Sequence, residues 1–204
     1  MKQTHKFFST PFYSTNIKRD FTKKEKNSYH SILEDNYENV KNVISKEVRV
    51  LEKDDFSDIR EFINFHVDNF YIELYGRKAK NLSYITTSWL NLTEPGMSHH
   101  RHHHPNSIIS GVFYFNCIPN DTITIHKPFS TVINSINIDP EGNSESLFLG
   151  ESLNISLITG DLILFPSDLE HQVAENKTKF NRISLAFNTF IKGTLSDGVN
   201  TLNL

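Results

Sequence analysis

With 204 residues, 37% of them hydrophobic and 22% charged, the chain has the size and composition of one globular domain with a full core, and a second independent one would be a tight fit. A net charge of −3 without a basic stripe argues against nucleic-acid binding, and no apolar run approaches the roughly 20 residues that span a bilayer. The single cysteine, Cys117, excludes an intramolecular disulfide and suits a reducing, cytoplasmic setting, where it reads as a small buried hydrophobe in a strand.

The first third reads as helical and the remainder as β. Phe7 to Ile17 is predicted as an opening strand broken by Pro11. Phe21 to Val50 places Tyr29, Ile32, Leu33, Val40, Val43 and Ile44 at helical intervals, with the charged run from Lys23 to Lys26 on a solvated face. Asp55 to Tyr75 is the stronger helix, with Ile59, Phe62, Ile63, Val67 and Phe70 on one face and Gly76 positioned to stop it. His66 belongs to this helix as a packed or surface residue. From Tyr84 the pattern becomes aromatic and β-branched. Strands are predicted at 84–92, 108–115, 122–125, 153–158, 162–165 and 183–190, separated by turn signals such as Pro119-Asn120-Asp121 and Thr159-Gly160-Asp161. The expected architecture is a mainly β double-stranded β-helix (jelly-roll, cupin-like) with N-terminal helices. It forms one domain over 1–204, with a helical support region at about 20–76 and a catalytic β core at about 82–192. The polar stretch from Phe129 to Phe148 is placed to act as a lid, and an exposed strand edge offers a route to a homodimer.

Half of the ten histidines fall between His99 and His104. A His-rich loop that binds metal loosely would produce such a cluster. This one lies between a predicted strand with its turn, Glu94-Pro95-Gly96, and the apolar strand that begins at Ile108. In an extended segment His102 and His104 point to the same side and His103 to the other. Two imidazoles on one side make half of a site for iron, zinc, copper or nickel. The best third ligand is His171, delivered after the apolar strand ending at Pro166, with His126 in reserve.

In Arg182-Ile183-Ser184-Leu185-Ala186-Phe187-Asn188 the alternation puts Arg182, Ser184 and Asn188 on one face. On an outward face Arg182 would be a solvated edge residue. On an inward face it needs a carboxylate, which a ligand could supply to its fork with a hydroxyl contributed by Ser184.

The stretches SWLNLTEPG, HHRHHHPNSIISGVFYF, GDLILFPSDLEHQV and RISLAFN, in this order, resemble the iron(II)- and 2-oxoglutarate-dependent oxygenases, specifically the small members common in phages and marine bacteria. The resemblance runs from about Trp89 to Asn188, with a weaker match at FFSTPFY. It implies that His102 and His171 are iron(II) ligands and that Arg182 and Ser184 hold the distal carboxylate of 2-oxoglutarate. Tyr114 and Asn106 match lesser contacts near the cosubstrate. The departure is His104, where the wider superfamily has an Asp or Glu. The implied chemistry is oxidation, most simply hydroxylation, of a primary substrate that the sequence does not name. It is driven by dioxygen and by decarboxylation of 2-oxoglutarate to succinate and carbon dioxide. Two other readings compete: a three-histidine cupin-type enzyme that does not use 2-oxoglutarate, and a jelly-roll binding protein that a metal merely stabilises.

Overall fold

Thr22 starts the first helix by a reciprocal cap. Its side chain accepts from the Glu25 backbone at 3.1 Å, and the Glu25 carboxylate accepts from the Thr22 backbone at 2.7 Å. The computed structural model describes residues 9–76, 81–128, 152–196 and 198–204. Strand β1 (Tyr13–Asn16) begins after Pro11, and helix α1 covers Lys23–Glu34. The expected helical region to Val50 ends there. Strands β2 (Asn36–Asn39) and β3 (Asn42–Ser45) form a hairpin turned at Val40, whose φ is 59°. Asp35, Asn36, Asn39 and Asn42 draw the backbone into turns, and Val43 and Ile44 are β-branched, so local chemistry outweighs the helical spacing.

Helix α2 (Ser57–Tyr75) closes at Gly76 (φ 84°), whose N–H bonds the Ile72 carbonyl at 2.8 Å. The strands that follow are β4 (Asn81–Thr93), β5 (His99–His102), β6 (Ile109–Asn116), β7 (Thr122–His126), β8 (Ser152–Ser156), β9 (Asp161–Pro166), β10 (His171–Val173), β11 (Arg182–Leu195) and β12 (Leu202–Asn203). They form two antiparallel sheets. The larger runs β1-β9-β6-β11-β4-β3-β2, with β12 on β11, and the smaller runs β5-β10-β7-β8. This is the mainly β, jelly-roll architecture expected. Cys117 falls one residue beyond β6 and is half-buried, not inside the strand as expected. Among the described residues no helix is long and apolar enough to cross a membrane. The expected lid, Phe129 to Phe148, lies outside the described residues.

Strand periodicity divides the molecule into layers. Phe113, Phe115, Leu162, Leu164, Ile183, Leu185 and Phe187 pack outward against α1 and α2. Val112, Tyr114, Ile163 and Phe165 point inward toward Ile123 and Leu169 at the smaller sheet. Gly111 is on the crowded outward face, where an added Cβ would lie 2.2 Å from the Phe187 ring and 2.7 Å from Leu164. Gly111→Ala should therefore destabilise the fold by about 1–3 kcal/mol in chemical denaturation, through overpacking. An unchanged midpoint would mean that Phe187 can move aside.

Candidate metal centre

The smaller sheet brings the distant histidines together. His102 ends β5 and His171 starts β10, and the two are cross-strand neighbours. His104 follows two residues beyond β5, its backbone N–H fixed on the Ser167 carbonyl at 2.9 Å. His103 between them is exposed. The ligand nitrogens of His102, His104 and His171 all lie within 4.8 Å of one another.

The hydrogen bonds fix the tautomers. His102 Nδ1 donates to the His100 carbonyl at 2.8 Å, and His171 Nδ1 to the Leu169 carbonyl at 3.0 Å. A carbonyl can only accept, so each ring presents Nε2 as a bare lone pair. His171 Nε2 faces His104 Nε2 at 3.3 Å, an arrangement that a cation at the focus satisfies. Burial in an apolar surround, then the neighbouring imidazoles, hold His171 down to about 3 and His104 to about 4, with an Asn188 hydrogen bond opposing at His104. All three therefore remain neutral and ligand-competent near neutrality. Phe165 walls off His171 at 4.8 Å between ring centroids, and Trp89 lies 5.7 Å from His104.

The same cleft is lined by Arg182, Ser184 and Tyr114. Arg182 is on the inward face as expected, but it has a partner within the chain. Its Nε donates to Asp121 Oδ2 at 3.0 Å, with both side chains buried. The Tyr114 ring lies 5.0 Å below the guanidinium. Its hydroxyl is buried without a hydrogen-bond partner among the described residues, and burial raises its pKa, so it stays a donor awaiting an acceptor. An unsatisfied donor beside an arginine fits an incoming carboxylate. Asn106 does not join them. It is exposed in the turn after Pro105 with φ 57°, a conformation asparagine tolerates, and its role is to turn the backbone. His126 ends β7 outside the histidine group.

The family model described as "Putative 2OG-Fe(II) oxygenase" matches residues 87–188, half of the chain. The chain belongs to this oxygenase family. As a 2OG-Fe(II) oxygenase it is an enzyme that uses iron(II), 2-oxoglutarate and dioxygen. No curated protein is significantly similar to it in sequence. Among solved structures, this oxygenase is similar in fold to a 2OG-Fe(II) oxygenase family oxidoreductase from Burkholderia pseudomallei, with TM-score 0.55, 12% identity and coverage of 87% of this chain and 83% of the other. A Pseudomonas putida prolyl-4-hydroxylase aligns with TM-score 0.54 and 12% identity over 88% and 93%. HygX from Streptomyces hygroscopicus, solved with nickel, 2-oxoglutarate and hygromycin B, aligns with TM-score 0.54 and 14% identity over 88% and 82%. Among the described residues the only group of His, Cys, Asp and Glu spaced to hold an ion is the three histidines, a set that fits iron(II) and contains no carboxylate.

Sequence reasoning missed His99 and Trp89 in the cleft, and Asp121 as the buried partner of Arg182. His99 stacks on His102 at 4.3 Å. Its signal was its place in the histidine run. Asp121 carried only a turn signal, since nothing along the chain says which acidic residue meets Arg182.

Proposed function

We propose that this oxygenase is a hydroxylase working as one domain, with iron(II) held by His102, His104 and His171 and 2-oxoglutarate anchored through its distal carboxylate by Arg182, Ser184 and Tyr114. The observation that carries the reading is the convergence, in one cleft, of three histidines at ligand spacing with an arginine whose neighbouring tyrosine hydroxyl lacks an acceptor. The bound iron and cosubstrate supply the oxidising chemistry. The chain's own residues bind and orient. The Leu169 and His100 carbonyls hold the two imidazoles with Nε2 inward. Arg182 gives the cosubstrate one fixed direction. Phe165, Val112 and Ile123 keep the inner end of the cleft apolar. Tyr114, with its pKa raised by burial, donates a proton in a hydrogen bond and does not act as a base.

Anaerobic titration of the iron(II)-loaded protein with 2-oxoglutarate tests this by the visible charge-transfer band of a chelated 2-oxo acid. Arg182→Ala would strand Asp121 as a buried unpaired charge, at about 3–5 kcal/mol of stability, so Arg182→Lys is the better variant. It keeps the charge and loses the planar fork, and should need roughly tenfold more 2-oxoglutarate. With iron shown to be bound, absence of a band at millimolar 2-oxoglutarate would overturn the assignment of this cleft.

A further inference from the structure

We propose that Asp121 is a positioning residue for Arg182: it holds the guanidinium by Nε alone and leaves the Nη edge for the distal carboxylate of 2-oxoglutarate. The inference rests on the proposed role of Arg182.

The molecule offers an internal contrast. Arg19 and Glu25 form a closed structural pair in which both Nη groups are used, at 3.0 and 2.5 Å, on the two carboxylate oxygens. A carboxylate that only neutralises a buried guanidinium gains most from that two-point fork. Asp121 does not take it. Its Oδ2 accepts from Nε of Arg182 at 3.0 Å, and among the described residues neither Nη donates a hydrogen bond. The two side chains are 2% and 4% exposed, so water does not explain the missing partners on the protein side of the pair. The face of the guanidinium is covered by the Tyr114 ring, which leaves its edge as the approach for a planar acceptor.

Asp121 is itself held firmly. Its N–H bonds the Ile118 carbonyl at 3.2 Å, its carbonyl accepts from Leu157 at 2.9 Å, and Oδ2 also receives the Ile118 N–H at 3.4 Å. The turn preceding β7 and the residue following β8 thus clamp the carboxylate, and through it the orientation of an arginine on the other sheet. An acid fixed in this way steers the arginine as well as offsetting its charge.

The test compares two 2-oxo acids, 2-oxoglutarate and pyruvate, which lacks the distal carboxylate, by anaerobic charge-transfer titration of iron(II)-loaded wild type, Asp121→Ala, Asp121→Asn and Arg182→Lys. In Asp121→Ala the half-saturating 2-oxoglutarate should rise roughly tenfold or more, as for loss of a charge-assisted hydrogen bond, with the band position and pyruvate affinity unchanged. Asp121→Asn, which retains an acceptor for Nε, should restore most of that affinity. Should Asp121→Ala fail to fold, Asp121→Glu, one methylene longer, displaces the guanidinium and should show the same selective loss. Equal weakening of both acids would make Asp121 merely structural and overturn the proposal. Wild-type 2-oxoglutarate affinity in Asp121→Ala alongside weakened binding in Arg182→Lys would overturn it while sparing the arginine reading. Wild-type affinity in Arg182→Lys would remove both.

Discussion

Replacing His171 with alanine should abolish iron(II) binding at working concentrations while leaving the fold intact. His171 is the central member of the proposed site on the smaller sheet, paired to His102 on one side and to Ile125 on the other. It is 3% exposed, and its Nδ1 donates to the Leu169 carbonyl, which holds Nε2 toward His102 and His104. Loss of a residue that merely orients a ligand costs about 10–100-fold in metal affinity, and loss of the ligand itself should exceed that range. Folding should survive, because the ring leaves a cleft already lined by His102 and His104. Trp89, the only tryptophan, lies 5.7 Å from His104, so quenching of its fluorescence on anaerobic addition of iron(II) reads occupancy directly. The exposed His103, replaced by alanine, should titrate as wild type. Quenching in His171→Ala at wild-type concentrations would place the ion elsewhere.

The second large effect is on acid stability without metal. In the folded protein burial holds His171 and His99 to about 3 and His104 to about 4, against an ordinary 6.5. Between those folded values and 6.5 the unfolded chain binds more protons than the folded one, so stability rises with pH there and is lost as pH falls. It is complete above pH 6.5 and drains through the window down to about 4 for His104 and about 3 for His171 and His99. For His104 alone the gap from 6.5 to 4 corresponds to about 3 kcal/mol, a substantial share of the 5–15 kcal/mol that holds a typical domain together. The thermal midpoint of the metal-free protein should therefore fall steadily below pH 6.5, and iron(II) at saturating concentration should raise the midpoint across that window without removing the fall, because the folded histidines it binds carry no proton there. A midpoint that does not change between pH 7.5 and 4.5 without metal would mean that these imidazoles are not buried neutral.

Local information was sufficient wherever a residue's role is set by chain geometry. Alternation along residues 182–188 already separated Arg182 and Ser184 from Ile183, Leu185 and Phe187, because a strand has period two whatever it packs against. The His102-X-His104 spacing picked out two of the three grouped histidines, although His104 lies two residues beyond β5 and is held there by the Ser167 carbonyl. The family was readable because its short segments recur in a fixed order. Local chemistry was misread at Asn36 to Ser45, where helical spacing of apolar residues competed with three asparagines and lost. Asn106, which the family resemblance suggested near the cosubstrate, is exposed where the backbone turns at a positive φ and does not line the cleft.

Pairing across the sandwich was decided only by the tertiary structure. Which of the chain's 24 acidic residues meets Arg182 depends on how the turn before β7 docks on the other sheet, and the sequence contains no distance between them. The burial that keeps the histidines neutral, the stacking of His99 on His102 and the unsatisfied hydroxyl of Tyr114 are likewise properties of the closed sandwich. The sequence determined which residue types the site has and which of them share a strand face. Desolvation and cross-sheet contact, which exist only once the two sheets close on each other, determined their charges and their partners.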